Sequence, residues 1–185
     1  TLGTGVGSGI VANGQLIYGH DGFAGELGHI IVIPGGRLHP GTGAHGSLEA
    51  YASATGVTKT AIEFLNNRPE CKSLLRNYKP EEINSKVIYE AAIKGDALAL
   101  EIYEFTGQVL GAALANFVMF SSPEAIILFG GLTNAGDLIM DPVRKHMEEN
   151  LLPIFQNKVK LLFSELKESD AAILGASALA WEMKD

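Results

Sequence analysis

With 185 residues, 46% of them hydrophobic and 19% charged, the chain has the size of one domain with a substantial core, and no run is long and apolar enough for a membrane-spanning helix. A net charge of −7, from 21 acidic and 14 basic residues, argues against nonspecific binding to nucleic acid, although a local nest of backbone donors can still take a polyanion. The single cysteine, Cys71, excludes an internal disulfide framework and suits a reducing, cytoplasmic setting.

The chain opens on Thr1-Leu2-Gly3-Thr4-Gly5-Val6-Gly7-Ser8-Gly9, with glycine at every second position. No initiator Met or charged leader precedes this motif, so the sequence reads as a fragment of a longer protein. On an extended strand these glycines share a face without side chains, which admits either a neighbouring backbone or a phosphate-bearing ligand. Residues 8–18 read as a hairpin turning at Asn13-Gly14, the strongest short signal for a type I′ turn. Ile30–Ile33 reads as a third strand, stopped by Pro34-Gly35-Gly36. The glycine- and histidine-rich stretch from Pro34 to Gly46 is a loop. Ser47 then fits a helix N-cap, with a helix from Glu49 that breaks near Thr55-Gly56 and resumes to about Leu65.

Residues 66–84 are polar and carry Pro69 and Pro80, which suggests a surface excursion. Helices follow over about 84–94 and 96–120. The second is apolar around most of its circumference and is expected to be central, with Gly107 and Gly111 permitting close packing. Ala125–Phe129 is an uninterrupted apolar run, expected as a strand buried on both faces and ended by Gly130-Gly131. A helix over about 137–150, a strand over about Val159–Phe163 and a helix from Ala171 to Lys184 complete the chain. The order of elements indicates an α/β fold, a mixed sheet with helices on its faces.

Beyond the glycine string, three constellations carry chemistry. Glu26 and His29 stand three apart in Gly25-Glu26-Leu27-Gly28-His29. In a helical turn they project from one side and could bond polyol hydroxyls, or Glu26 could simply be solvated while His29 caps a carbonyl. Glu49 falls in the first turn of its helix, where the dipole alone would favour a carboxylate. Leu128-Phe129-Gly130-Gly131-Leu132 brings backbone to the carboxyl end of a strand, where open α/β sheets bind ligands and where tight turns also occur.

In this order, Gly-Thr-Gly-Val-Gly-Ser-Gly, Gly-Glu-Leu-Gly-His, Gly-Ser-Leu-Glu-Ala-Tyr-Ala-Ser and Phe-Gly-Gly resemble the carboxyl-terminal half of the ROK family of bacterial sugar kinases and sugar-responsive repressors. The resemblance implies one domain of an actin-like (ribonuclease H-like) ATPase. It also implies Gly3, Thr4 and Gly5 against the ATP phosphates, and Gly130, Gly131 and Leu132 along the adenosine site. Glu26, His29 and Glu49 would hold the hydroxyls of a hexose, glucose first. The implied reaction is phosphoryl transfer from ATP with Mg²⁺ to a sugar hydroxyl, the catalytic base lying in the amino-terminal half.

Family members also carry a zinc site, the His matching His29 plus three cysteines. The cysteine positions are here Pro40, Thr42 and Ser47, so no zinc is expected, although His39 and His45 in the same loop could rebuild a metal site with His29. The missing half of the protein and a second copy of the chain are the expected protein partners, with homo-oligomerisation driven by apolar surface, and no membrane or nucleic acid is expected to bind this domain. The effector domain of a repressor is the alternative reading, and a polyol-binding module without ATP a third.

Overall fold

The structure, a computed structural model, describes residues 1–182. A short antiparallel hairpin pairs β1 (Val11–Ala12) with β2 (Gln15–Leu16), turning at Asn13 and Gly14, both at positive φ as the Asn-Gly signal requires. The nine residues before it are not an extended strand. Leu2 and Val6 are buried and bridge to one another, which folds Gly3–Gly5 into a tight turn between them. Ile30–Ile33 forms no strand either. The Val32 and Ile33 N–H groups both donate to the Gly46 carbonyl, leaving only a bridge from Ile31 to Ser47.

Helix α1 (Glu49–Ala52) follows the loop, and Leu48, not Ser47, occupies its cap position. The Ser47 hydroxyl is buried and has no partner among the described residues, so it caps nothing. The helix breaks at Ser53, two residues before the expected Thr55-Gly56. Ser53 is extended and accepts the Gly56 N–H at 2.9 Å, starting α2 (Ala54–Asn67), within which Thr55 and Gly56 lie.

Residues 66–84 cross the surface in two short 3₁₀ turns, but not as a free excursion. Leu75 and Ile83 are buried, and the Asp96 carboxylate accepts the Leu74 N–H at 2.5 Å and the Ser73 hydroxyl at 3.1 Å. Asp96 also takes the Ala99 N–H, capping α4 (Ala97–Ser121), which follows α3 (Ser85–Ala92).

Helix α4 is the centre of the domain. Leu98, Ile102, Leu110 and Val118 are fully buried, each stabilising the fold by roughly 1.5–3 kcal/mol. Helix α5 (Asp137–Asn150) lies against α4 where Gly107 and Gly111 remove side chains. A Cβ at Gly111 would come within 2.6 Å of the Val143 carbonyl oxygen, and one at Gly107 within 2.9 Å of the Pro142 backbone. Burial pushes the Tyr103 phenol of α4 up to about 12.

The second sheet is parallel, β3 (Ala125–Leu128) beside β4 (Lys160–Phe163). It is not buried on both faces as the apolar run of β3 suggested. Leu128 is buried, but Ile127 is 60% exposed, because only two strands are present and nothing covers that face among the described residues. Helix α6 (Glu168–Glu182) follows, and the final residues of the helix expected to Lys184 lie outside the described part.

Candidate functional site

The two glycine motifs expected at the nucleotide are laced together through Leu2. Its N–H donates to the Phe129 carbonyl at 2.6 Å, and its carbonyl accepts the Leu132 N–H at 3.0 Å. Gly130, at φ 106°, backs directly onto this residue: a Cβ there would come 2.7 Å from the Leu2 carbonyl oxygen. So Gly130 allows the motifs to join, while Gly131 and Leu132 line a cavity of about 230 Å³ with Lys86, Tyr89 and Asn134.

In the turn itself the Gly3 N–H is used internally, bonded to the Gly5 carbonyl at 3.0 Å. Among the described residues the Thr4 and Gly5 N–H groups have no protein acceptor. The turn is fixed against the start of α2, where the Ala54 N–H bonds the Gly3 carbonyl at 2.8 Å and the Thr55 hydroxyl bonds the Thr4 carbonyl at 3.1 Å. Free backbone donors beside a helix start favour an anion.

Glu49 connects this turn to the loop. Its Oε2 accepts the Val6 N–H at 2.7 Å and its Oε1 lies 2.5 Å from His39 Nε2. A Cβ at Gly5 would sit inside this carboxylate, so the second glycine of the string is there for Glu49. Burial pushes the Glu49 carboxyl up, but the Val6 N–H and then His39 outweigh it, and the net pKa lies below the ordinary value.

Glu26 precedes and His29 ends a 3₁₀ turn over Leu27–His29, their side chains 3.7 Å apart, as the spacing of three predicts. They are the more open pair, at 67% and 39% exposed against 20% for Glu49. The His29 and His39 rings meet edge to face at 5.5 Å, so Glu26, His29, His39 and Glu49 form one contiguous polar run.

Sequence reasoning considered His39 only as a metal candidate. Here it and Glu49 bring ligand-capable atoms within 4.8 Å of His29, whereas His45 turns away to the Gly36 carbonyl at 3.0 Å and does not join them. Pro40, Thr42 and Ser47, the positions at which the resemblance implies zinc-binding cysteines, supply no thiolate, so the residues present do not fit that ligand set. Arg37 was missed altogether. Its guanidinium is buried over the Tyr51 ring at 4.4 Å and bonds Glu63, the Thr60 hydroxyl and the Ala50 and Gly56 carbonyls. It bolts the site loop to α1 and α2, and no periodicity or motif marked it.

The profile of the ROK family matches residues 1–183. The chain is 37% identical over its whole length to a glucokinase of Halalkalibacterium halodurans, covering 56% of that protein. It superposes with a TM-score of 0.85 and 35% identity on a ROK family glucokinase from Streptomyces griseus in complex with glucose and AMPPNP, covering 96% of this chain and 58% of that one. It is also 31% identical over 176 residues to the DNA-binding transcriptional dual regulator NagC of Escherichia coli, covering 41% of it. The chain therefore spans a little over half the length of the glucokinases it matches.

Proposed function

The chain belongs to the ROK family, and on that premise we propose that it is the nucleotide- and sugar-binding carboxyl-terminal domain of a two-domain, cytoplasmic, ATP-dependent hexose kinase. Its fold is α/β, of the actin-like ATPase type found in ROK sugar kinases. No described helix is long and apolar enough to cross a membrane.

In this reading the Thr4 and Gly5 N–H groups orient the phosphates of ATP, which arrives with Mg²⁺. The cavity beside Gly131 and Leu132 receives the nucleoside. Glu49, Glu26 and His29 accept and donate hydrogen bonds to the hydroxyls of glucose. The catalytic base belongs to the other half of the protein, so the 185-residue chain alone is inactive. Phe120 and Ile127, 87% and 60% exposed, support burial against that half or a second copy.

The observation that carries this reading is the position of Glu49, which bonds Val6 at the end of the glycine turn on one side and His39, in contact with His29, on the other. It puts the phosphate candidate and the hydroxyl candidates side by side. We read the His29, His39 and Glu49 cluster as hydrogen-bonding and free of zinc, and one zinc per chain after dialysis would overturn that. The similarity to NagC favours a second reading, an effector domain of a repressor, but the unpaired N–H groups of the turn favour the kinase.

The test is an assay of the full-length protein for glucose-dependent ADP release. Turnover by the full chain and none by these 185 residues is the expected result. Glucose binding without turnover or nucleotide affinity would favour the effector domain.

A further inference from the structure

We infer that His39 is a positioning residue for the hexose: its Nε2–H holds the Glu49 carboxylate in one orientation, leaving that carboxylate's remaining lone pairs for sugar hydroxyls. This rests on the reading of Glu49 as a sugar ligand.

The proton on His39 is fixed by its surroundings. Residues 38–45 close on themselves, with Leu38 bridging His45, the His39 N–H on the Ala44 carbonyl and the Gly43 N–H on the His39 carbonyl. This brings the Thr42 N–H to 3.2 Å from His39 Nδ1, with the Thr42 hydroxyl at 3.1 Å from the same nitrogen. A backbone N–H can only donate, so Nδ1 is an acceptor and the ring carries its proton on Nε2. The Nε2–H therefore donates to Glu49 Oε1 at 2.5 Å, while Val6 N–H holds Oε2.

With each oxygen given one protein donor, the carboxylate cannot rotate, yet it keeps about two of its four acceptor sites open. The side chains of His39 and Glu49 are only 16% and 20% exposed, so water competes weakly for the bond. A carboxylate held this way does not have to be ordered when the sugar arrives. His39 also contacts the ring of His29, so its loss would loosen a second hydroxyl partner.

The test compares His39→Ala, His39→Gln and Glu49→Gln in the full-length protein, with glucose and AMPPNP affinities measured by calorimetry. Glutamine can place an N–H where Nε2 stands, and alanine cannot. The expected result for His39→Ala is a loss of glucose affinity of about tenfold or more, with AMPPNP affinity unchanged. His39→Gln is expected to recover most of that loss, a rescue that a merely structural role would not produce. If His39→Ala does not melt cooperatively, His39→Asn replaces it, since its amide stops short of the carboxylate.

Parental glucose affinity in the alanine or asparagine variant would overturn the inference, as would an equal loss of glucose and AMPPNP binding, or no rescue by glutamine. Glu49→Gln separates the two layers. If that variant binds glucose normally, the reading of Glu49 itself fails. If it loses glucose binding while His39→Ala does not, only the role of His39 fails.

Discussion

The helical layer and the loop layer of this domain both depend on glycine, but for opposite reasons. In α4, Gly111 faces the backbone of α5, where a Cβ would meet the Val143 carbonyl oxygen and the Met147 nitrogen at 2.6 and 2.7 Å. Backbone cannot yield without moving a helix. In the amino-terminal turn, Gly5 faces the end of the Glu49 side chain, which can move without shifting a helix but only by giving up its bonds to Val6 and His39. The first glycine keeps two helices in contact and the second keeps one carboxylate in place. So one residue type carries two kinds of information, distinguished only by what stands opposite.

That contrast can be broken in order of expected effect. Gly111→Val should separate α4 from α5 and destabilise the protein by about 3 kcal/mol or more, read as a large fall in the urea midpoint. Gly5→Ala should lower the midpoint by less than Gly111→Val, since it displaces one side chain and its bonds to Val6 and His39, while raising the glucose KM roughly ten- to a hundredfold. If Gly5→Ala instead lowers the midpoint as much as Gly111→Val, the two glycines do the same work and the contrast is wrong.

Arg37→Ala sits between the layers. Removing a guanidinium that bonds Glu63, Thr60 and two carbonyls should cost about 1.5–3 kcal/mol and weaken glucose binding indirectly. Denaturation and calorimetry on one variant check both effects.

The smallest effect sharpens the electrostatics. Because the folded pKa of Glu49 is lowered, its contribution to stability is present above its ordinary carboxylate range and is lost as pH falls through the lowered value. Glu104, held down first by Lys145 and then by His146, follows the same sign. Urea midpoints of the parent should therefore decline on the acid side more steeply than those of Glu49→Gln. Parallel declines would remove Glu49 from the account.

The helical layer was legible because side-chain burial imposes a period. The apolar circumference of α4, the Gly107–Gly111 spacing and the span of α5 all follow from packing, and Asn13-Gly14 follows from local turn sterics. In the site, the closeness of Glu26 and His29 was legible from spacing, and Glu49 and the two glycine motifs were named from the resemblance. The contacts that join them were not, because the loop layer is held by backbone bonds and single polar contacts. Ile30–Ile33 looks like a strand, yet two of its N–H groups converge on the Gly46 carbonyl. Ser47 looks like a cap, yet its hydroxyl is buried and unpartnered among the described residues. Nothing local marks Gly5 as the neighbour of Glu49, 44 residues away, or His39 as the donor to that carboxylate.

The central claim is that Glu49 is a hexose ligand set beside a nucleotide turn. Its most direct measurement is the glucose KM of full-length Glu49→Gln, taken together with its AMPPNP affinity. The account predicts a KM raised about ten- to a hundredfold, with AMPPNP binding unchanged and the fold intact. A parental KM in a folded variant would contradict it.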